Sequence, residues 1–203
     1  MIKIGIVDYG VGNINSLNKS FKSIGFRSTK SSDTDELKKT DVIVLPGVGS
    51  FAYAMDKLKK SKLDQFIINE SKRNKPILGI CLGMQLLVNS SDENGIHKGL
   101  GIIPGKIKEL EGSDFHIGWN NIEICKRQSF IKKFNNHEFF FNHGFAFQGN
   151  TKNILSKTLY GKNLFASSII KNNTIGFQFH PEKSQKAGLQ LLKSTVRFLT
   201  KNK

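Results

Sequence analysis

The residues best placed to do chemistry are one cysteine near the middle of the chain and a histidine–glutamate pair near its end. Cys81 lies in Gly79-Ile80-Cys81-Leu82-Gly83, inside the run Pro76–Leu87, PILGICLGMQLL. The start of that run is short, apolar and opened by Pro76, which predicts a buried strand ending near Ile80 with a helix after it. Small residues two before and two after a nucleophile mark a sharp strand-to-helix turn, where a Cβ on either side would crowd the backbone. Such a turn lifts Cys81 out at the carboxyl end of a parallel sheet, and the helix start favours its thiolate. A cysteine that only fills core space asks for no flanking glycines.

A cysteine nucleophile wants a base, and the base wants a group to orient it. The chain has five histidines: His97, His116, His137, His143 and His180. His97 falls in a polar stretch and His137 beside Asn135-Asn136, so both are predicted at the surface. His143 follows the aromatic FFFN run and reads equally as a site or a core histidine. His180 closes a predicted strand and precedes Pro181 and Glu182. A residue before proline is pushed to an extended conformation. Two residues of extended chain would then put His180 and Glu182 on one side. The carboxylate would accept from one ring nitrogen and leave the other for the thiol. Metal binding is a poor alternative, because Cys125 is isolated and no C-x-x-C or H-x-x-x-H spacing occurs. In an α/β-hydrolase with a cysteine nucleophile, the acid would precede the histidine in chain order; here it follows.

The elements that must position these groups alternate through the first half. Strands are predicted over Ile2–Asp8, Phe26–Lys30 and Asp41–Pro46. Helices are predicted over Ile14–Ile24, Ser31–Lys39, Phe51–Lys60 and Leu63–Arg73, then from the nucleophile turn to Asn89. Asp33 with Glu36 three residues on is a helix-start signature. Asp8–Asn13 is a Gly-rich turn, and G-x-G alone is a weak phosphate signal. Pro46-Gly47-Val48-Gly49-Ser50 is a second Gly-rich loop whose N–H groups could form an oxyanion hole. This alternation argues a doubly wound, mostly parallel sheet with ligands at the carboxyl ends of its strands. Asn89–Gly99 reads as a polar loop. Strands then follow over Gly101–Leu110, Asn121–Cys125, Phe139–Phe147, Ile154–Thr158, Leu164–Ile170 and Thr174–Phe179, as an antiparallel extension. A helix from Ser184 to Leu199 closes the chain, striped by Leu189, Leu192, Val196 and Leu199. With no repeat, linker or low-complexity segment, residues 1–203 read as one domain.

Composition sets the remaining bounds. A chain of 203 residues with 16 phenylalanines can build one sizeable α/β core. No apolar run approaches a membrane span, and the start lacks a signal-peptide pattern. Two cysteines without C-x-x-C spacing fit a reducing, cytoplasmic setting. The net charge of +15 raises nucleic acid as a partner, but only four of the 31 basic residues are arginine, and the lysines are dispersed. That is a solvated surface rather than a phosphate-reading one. A non-catalytic interaction subunit would need a broken triad.

With Cys81, His180 and Glu182 in hand, the sequence resembles the class I glutamine amidotransferases. More narrowly, it resembles the family of glutaminase subunits of imidazole glycerol phosphate synthase, over essentially the whole chain. The motifs are IVDYGVGNINSL at 6–17, LPGVGSF at 45–51, GICLGMQLL at 79–87, GLGIIPG at 99–105, HIGWN at 116–120 and GFQFHPEKS at 176–184. The resemblance implies a flavodoxin-like amidotransferase fold and no cofactor. Cys81 would be the nucleophile on glutamine, His180 its base and Glu182 the orienting acid. Backbone donors at Leu82 and in Gly47, Val48 and Gly49 would stabilise the oxyanion, with Gln85, Gly144 and Phe145 at the glutamine site. Ammonia would pass through a tunnel to a (βα)₈-barrel partner for histidine biosynthesis, with Trp119 and Lys183 at the interface. The sequence departs from the family at Gly144-Phe145, where Ser or Thr and then Tyr are usual, and at Phe115 in place of Pro. These changes leave the triad intact and the acceptor open. The alternative is a relative that supplies ammonia to a barrel partner making amidino groups on bacterial surface sugars.

Overall fold

A computed structural model of the chain describes residues 1–112, 115–126, 128 and 130–201. The strands are β1 (Lys3–Val7), β2 (Arg27–Ser31), β3 (Val42–Leu45), β4 (Ile77–Ile80), β5 (Val88–Ser91), β6 (His97–Lys98) and β7 (Ile103–Glu109). They continue with β8 (His116–Asn121), β9 (Glu123–Ile124), β10 (Glu138–His143), β11 (Phe145–Gly149), β12 (Ile154–Tyr160), β13 (Asn163–Lys171) and β14 (Thr174–Phe177). The helices are α1 (Ile14–Ser23), α2 (Thr34–Lys38), α3 (Phe51–Lys60), α4 (Leu63–Lys72), α5 (Leu82–Leu86) and α6 (Gln185–Leu199).

The main sheet runs β2-β1-β3-β4-β14-β13-β11-β7-β5-β6, with β12 and β9 on a branch from β13. From β2 to β14 every pairing is parallel, and β14-β13-β11-β7 is antiparallel. This is the doubly wound sheet with an antiparallel extension that the sequence predicts. Alternation along the strands explains the two covered faces. Ile4, Ile6, Val42, Val44, Leu78 and Ile80 share a cluster with Leu17 and Phe21 of α1 and Leu191, Leu192 and Val196 of α6. Ile43, Leu45 and Ile77 share the other with Phe51 and Leu58 of α3 and Leu63 and Ile67 of α4. On α6 the buried side is Gly188, Leu191, Leu192, Thr195, Val196 and Leu199, so Leu189 is off the predicted stripe at its edge.

Five local expectations are corrected. The helix after Cys81 does not reach Asn89; it stops at Leu86, and Val88–Ser91 is a strand. The returning chain is the cause. Leu100 N–H donates to Leu86 O, Ile102 and Ile103 N–H to Leu87 O, Gly101 N–H to Val88 O and Gly99 N–H to Asn89 O. Those bonds take the carbonyls at the helix end. The stretch Asn89–Gly99 is therefore a β5–β6 hairpin rather than a loop.

Phe139–Phe147 is two strands. β10 pairs with β8 in a separate two-stranded ribbon, and after Gly144 β11 joins β7 in the main sheet. Asn121–Cys125 divides in the same way at Ile122, with β8 in the ribbon and β9 against β12. Thr174–Phe179 is shorter than expected, since its pairing with β4 ends at Phe177. The Asp33–Glu36 signature works through an intermediary. Asp33 caps Asp35 N–H, while Glu36 accepts from Ser31 Oγ, which itself accepts from Asp33 N–H.

Candidate active site

The order β2-β1-β3-β4 reverses direction between β1 and β3, so a crevice opens at the carboxyl ends of these strands. Cys81 stands there, directly after β4, at φ 53° and ψ −115°. An L-residue held in that region is strained. The glycines make the turn possible. A Cβ on Gly79 would lie 2.7 Å from Gly83 O, and one on Gly83 would overlap the Leu45 carbonyl. The turn is fastened by Cys81 N–H to Phe177 O at 2.7 Å and by Met84 N–H to Cys81 O at 2.9 Å. The thiol is free and nearly buried, and its sulfur lies 3.7 Å from Asn142 O of the ribbon.

His180 arrives from β14 and is gripped by the ribbon. His180 N–H donates to Phe140 O at 2.8 Å. Ser184 Oγ donates to His180 O at 2.6 Å and accepts from Phe140 N–H at 3.0 Å. Glu182 meets it as predicted, with Oε1 2.8 Å from His180 Nδ1 and both side chains 2% exposed. The backbone route differs from the expected extended one. Pro181–Lys183 is a 3₁₀ turn. Proline suits its first position, because its φ is preset and its missing N–H is not needed there.

Burial works to lower the His180 pKa. Contact with the Cys81 sulfur and with the Glu182 carboxylate outweighs it and pushes the imidazole up to about 10. Nε2 is buried and makes no hydrogen bond in the structure, so it is the ring nitrogen left for the sulfur. That direction favours the protonated ring beside the sulfur, the form that can give a proton to a departing amine.

Cys81 and His180 open on one cavity of about 320 Å³. Val48, Gly49, Leu82, Gln85, Gly144 and Phe145 line it with them. Gly47 does not. It is buried beneath the turn, where a Cβ would lie 2.7 Å from Leu82 Cβ and 2.8 Å from Gly83 N. Gln85 donates Nε2–H to Phe145 O at 2.9 Å and to Gln178 Oε1 at 3.2 Å. Gly144 leaves room for its neighbour, since a Cβ there would be 3.0 Å from the Phe115 ring. Trp119 and Lys183 lie outside the cavity. Trp119 is 45% exposed, stacked edge-on against Phe140, and Lys183 Nζ sits 5.6 Å over the same ring.

Three residues that the motif reasoning missed or left undecided belong to this site. Glu93 lines the cavity, with Oε2 accepting from Phe51 N–H at 2.9 Å. It fell within the stretch read as a polar loop, and nothing local marks it. Tyr9 donates its hydroxyl to Pro46 O at 2.6 Å and so ties the first Gly-rich turn to the second. Burial, and then the charge of Cys81, raise its pKa. His143 lines the cavity and is also packed, 4% exposed.

The chain matches the glutamine amidotransferase class-I family over residues 5–197. It is 42% identical to imidazole glycerol phosphate synthase subunit HisH of Oceanobacillus iheyensis over 196 residues, 94% of this chain and 96% of that protein. The chain belongs to the HisH family of class I glutamine amidotransferases. The HisH proteins of Aquifex aeolicus and Bacillus subtilis are 41% and 37% identical to this HisH-family chain, over 95% and 98% of it and the same shares of their own lengths. The fold of PurLQS from Thermotoga maritima is similar at a TM-score of 0.77 with 18% identity, covering 98% of this chain and 99% of that one. No described helix is long and apolar enough to cross a membrane.

Proposed function

We propose that this HisH-family enzyme is the glutaminase subunit of imidazole glycerol phosphate synthase, and that Cys81, His180 and Glu182 are its catalytic triad. The observation that carries the reading is their convergence: a strained cysteine at a strand end, sharing one cavity with a buried histidine–carboxylate pair. Cys81 sulfur attacks the side-chain amide carbon of glutamine, and the carbonyl becomes an oxyanion. Leu82 N–H, in the first turn of α5, and the N–H groups of Val48 and Gly49 are its donors. The C–N bond then breaks as His180 protonates the leaving ammonia. Water adds to the γ-glutamyl thioester with His180 as base, the C–S bond breaks, and glutamate leaves. Glu182 holds the imidazole tautomer throughout.

The cavity also suits the other end of glutamine. Glu93 offers a carboxylate to the α-ammonium, and Gln85, with its amide hydrogens committed to the protein, offers its oxygen. Ammonia passes to a (βα)₈-barrel partner subunit. The rim supports a docking face there: Phe115, Ile117 and Trp119 alternate along one side of the ribbon and are 59%, 63% and 45% exposed. Trp119 and Lys183 fall on or beside it. We take the chain as one domain over 1–203, working in the cytoplasm. The HisH names of its relatives favour the histidine pathway over surface-sugar amidination.

The test is isotope transfer. The chain is mixed with the barrel subunit of the same organism, its phosphoribulosyl substrate and amide-¹⁵N glutamine. Label in imidazole glycerol phosphate is expected. Glutaminase turnover with no labelled product would move the acceptor elsewhere. No turnover at all would overturn the reading.

A further inference from the structure

We propose that His116 and His143 form a neutral, direction-fixed hydrogen-bond relay that positions the Phe145 carbonyl and, through it, the Gln85 side chain for substrate. The proposal rests on the glutaminase reading and adds two positioning residues to it.

The two histidines come from opposite strands of the ribbon, in register with each other. His143 Nε2 lies 3.2 Å from His116 Nδ1, and both side chains are buried. Each end of the relay is anchored on backbone groups that cannot exchange roles. At one end, the Asn120 amide oxygen accepts from Asn121 N–H at 2.8 Å, and its Nδ2 donates to Leu159 O at 3.0 Å. That fixes the amide, so Nδ2–H faces His116 Nε2 at 3.4 Å and the ring nitrogen must accept. His116 Nδ1 then carries the proton and donates to His143 Nε2. At the other end, His143 Nδ1 lies 2.9 Å from Phe145 O, a carbonyl that can only accept. His143 Nδ1 therefore carries a proton, and its Nε2 is the lone pair that His116 requires. The assignments reached from the two ends agree.

A charge on either ring breaks the chain, because two N–H groups would face each other. The surroundings oppose that charge, and burial lowers His116 to about 4 and His143 to about 3. Packing holds the ring planes. His116 is stacked between Phe141 and Tyr160, with centroids 4.7 and 4.1 Å away and interplanar angles near 20°. His143 meets Phe165 edge-on at 4.9 Å.

The output of the relay is Phe145 O, which accepts from both His143 and Gln85. Gln85 thereby keeps its amide hydrogens on protein acceptors and its oxygen available as an acceptor in the cavity. His143 itself lines that cavity, 37 residues in sequence from the His180 base and separate from the triad's own hydrogen bond.

Two measurements test this on the full chain. Long-range ¹H–¹⁵N correlation of ¹⁵N-histidine protein should show His116 and His143 both neutral and both protonated on Nδ1 at pH 7. An imidazolium, or an Nε2–H tautomer at either residue, overturns the relay. In the complex with the partner subunit, His143→Phe should raise KM for glutamine about five- to tenfold, the effect of one mispositioned substrate hydrogen bond, with a smaller change in kcat. His143→Asn, which can place a donor near the Nδ1 position, should recover most of it. His116→Leu gives the same comparison if His143→Phe fails to fold. An unchanged KM in folded variants overturns the proposal alone. A wild-type complex that leaves glutamine intact overturns the glutaminase reading, a distinct result.

Discussion

Glu182 Oε1 lies 2.8 Å from His180 Nδ1, and neither side chain reaches solvent. The proline between them bends the chain into a 3₁₀ turn, so this buried ion pair is made by a two-residue step. Its strength is testable through pH. His180 is raised above its ordinary value, so the stability it contributes is complete below about pH 6.5 and is lost as pH rises through about 10. Glu182→Gln removes the carboxylate that helps hold the proton. The alkaline loss of stability should move to lower pH, and kcat for glutamine hydrolysis should fall by about 10²- to 10⁴-fold. Denaturant unfolding between pH 7 and 10, with ammonia release, checks both. Unchanged curves would remove Glu182 from the triad.

Cys81, the proposed nucleophile, sits on a strained backbone. Cys81→Ala should cut turnover by about 10⁴-fold or more while the fold survives. Cys81→Gly should be equally inactive but more stable than Cys81→Ala by about 1 kcal/mol, because glycine accepts φ 53° without penalty. Equal melting temperatures for the two would show that the turn is not strained.

The Tyr9 hydroxyl should matter to the oxyanion loop it fastens. Tyr9→Phe frees the buried Pro46 carbonyl and should cost about 1–3 kcal/mol of stability. Because Pro46 opens the Gly47–Gly49 loop, kcat should fall further than KM rises. Steady-state kinetics of the complex would reveal the split.

Glu93 should recognise the charged end of glutamine. Glu93→Gln keeps an acceptor for Phe51 N–H but drops the charge, and should raise KM by about ten- to a hundredfold, in line with the loss of a charge-assisted hydrogen bond. A melting temperature close to wild type with unchanged KM would place the α-ammonium elsewhere.

Acid should expose His143. Its pKa is depressed, first by burial, so the unfolded chain takes up a proton that the folded chain refuses. The resulting stability is present above about pH 6.5 and is lost as pH falls towards about 3. Each pH unit in that window is worth up to about 1.4 kcal/mol per histidine. Between pH 6.5 and 4.5, His143→Gln should lose about 2 kcal/mol less than wild type. Urea unfolding at the two pH values measures the difference, and parallel losses would assign the acid sensitivity to other groups.

The sequence by itself determined the nucleophile turn, the FHPE pair and the order of strands and helices up to β4. Each is a local matter. Gly79 is required by atoms of the turn itself, and Glu182 reaches His180 across two residues. Parallel strands buried on both faces announce themselves as apolar runs such as Val42–Leu45. What only the tertiary structure decided lies where one stretch of chain is finished by another far away. Residues 99–103 end α5 by taking its carbonyls. The FFFNHGFAF stretch divides at Gly144 because its halves pair with β8 in the ribbon and β7 in the main sheet. Glu93 enters the cavity because Phe51, 42 positions earlier, holds its carboxylate. His116 and His143, 27 residues apart, meet through an antiparallel register. Register depends on which strands find each other, and no spacing within one segment records that choice.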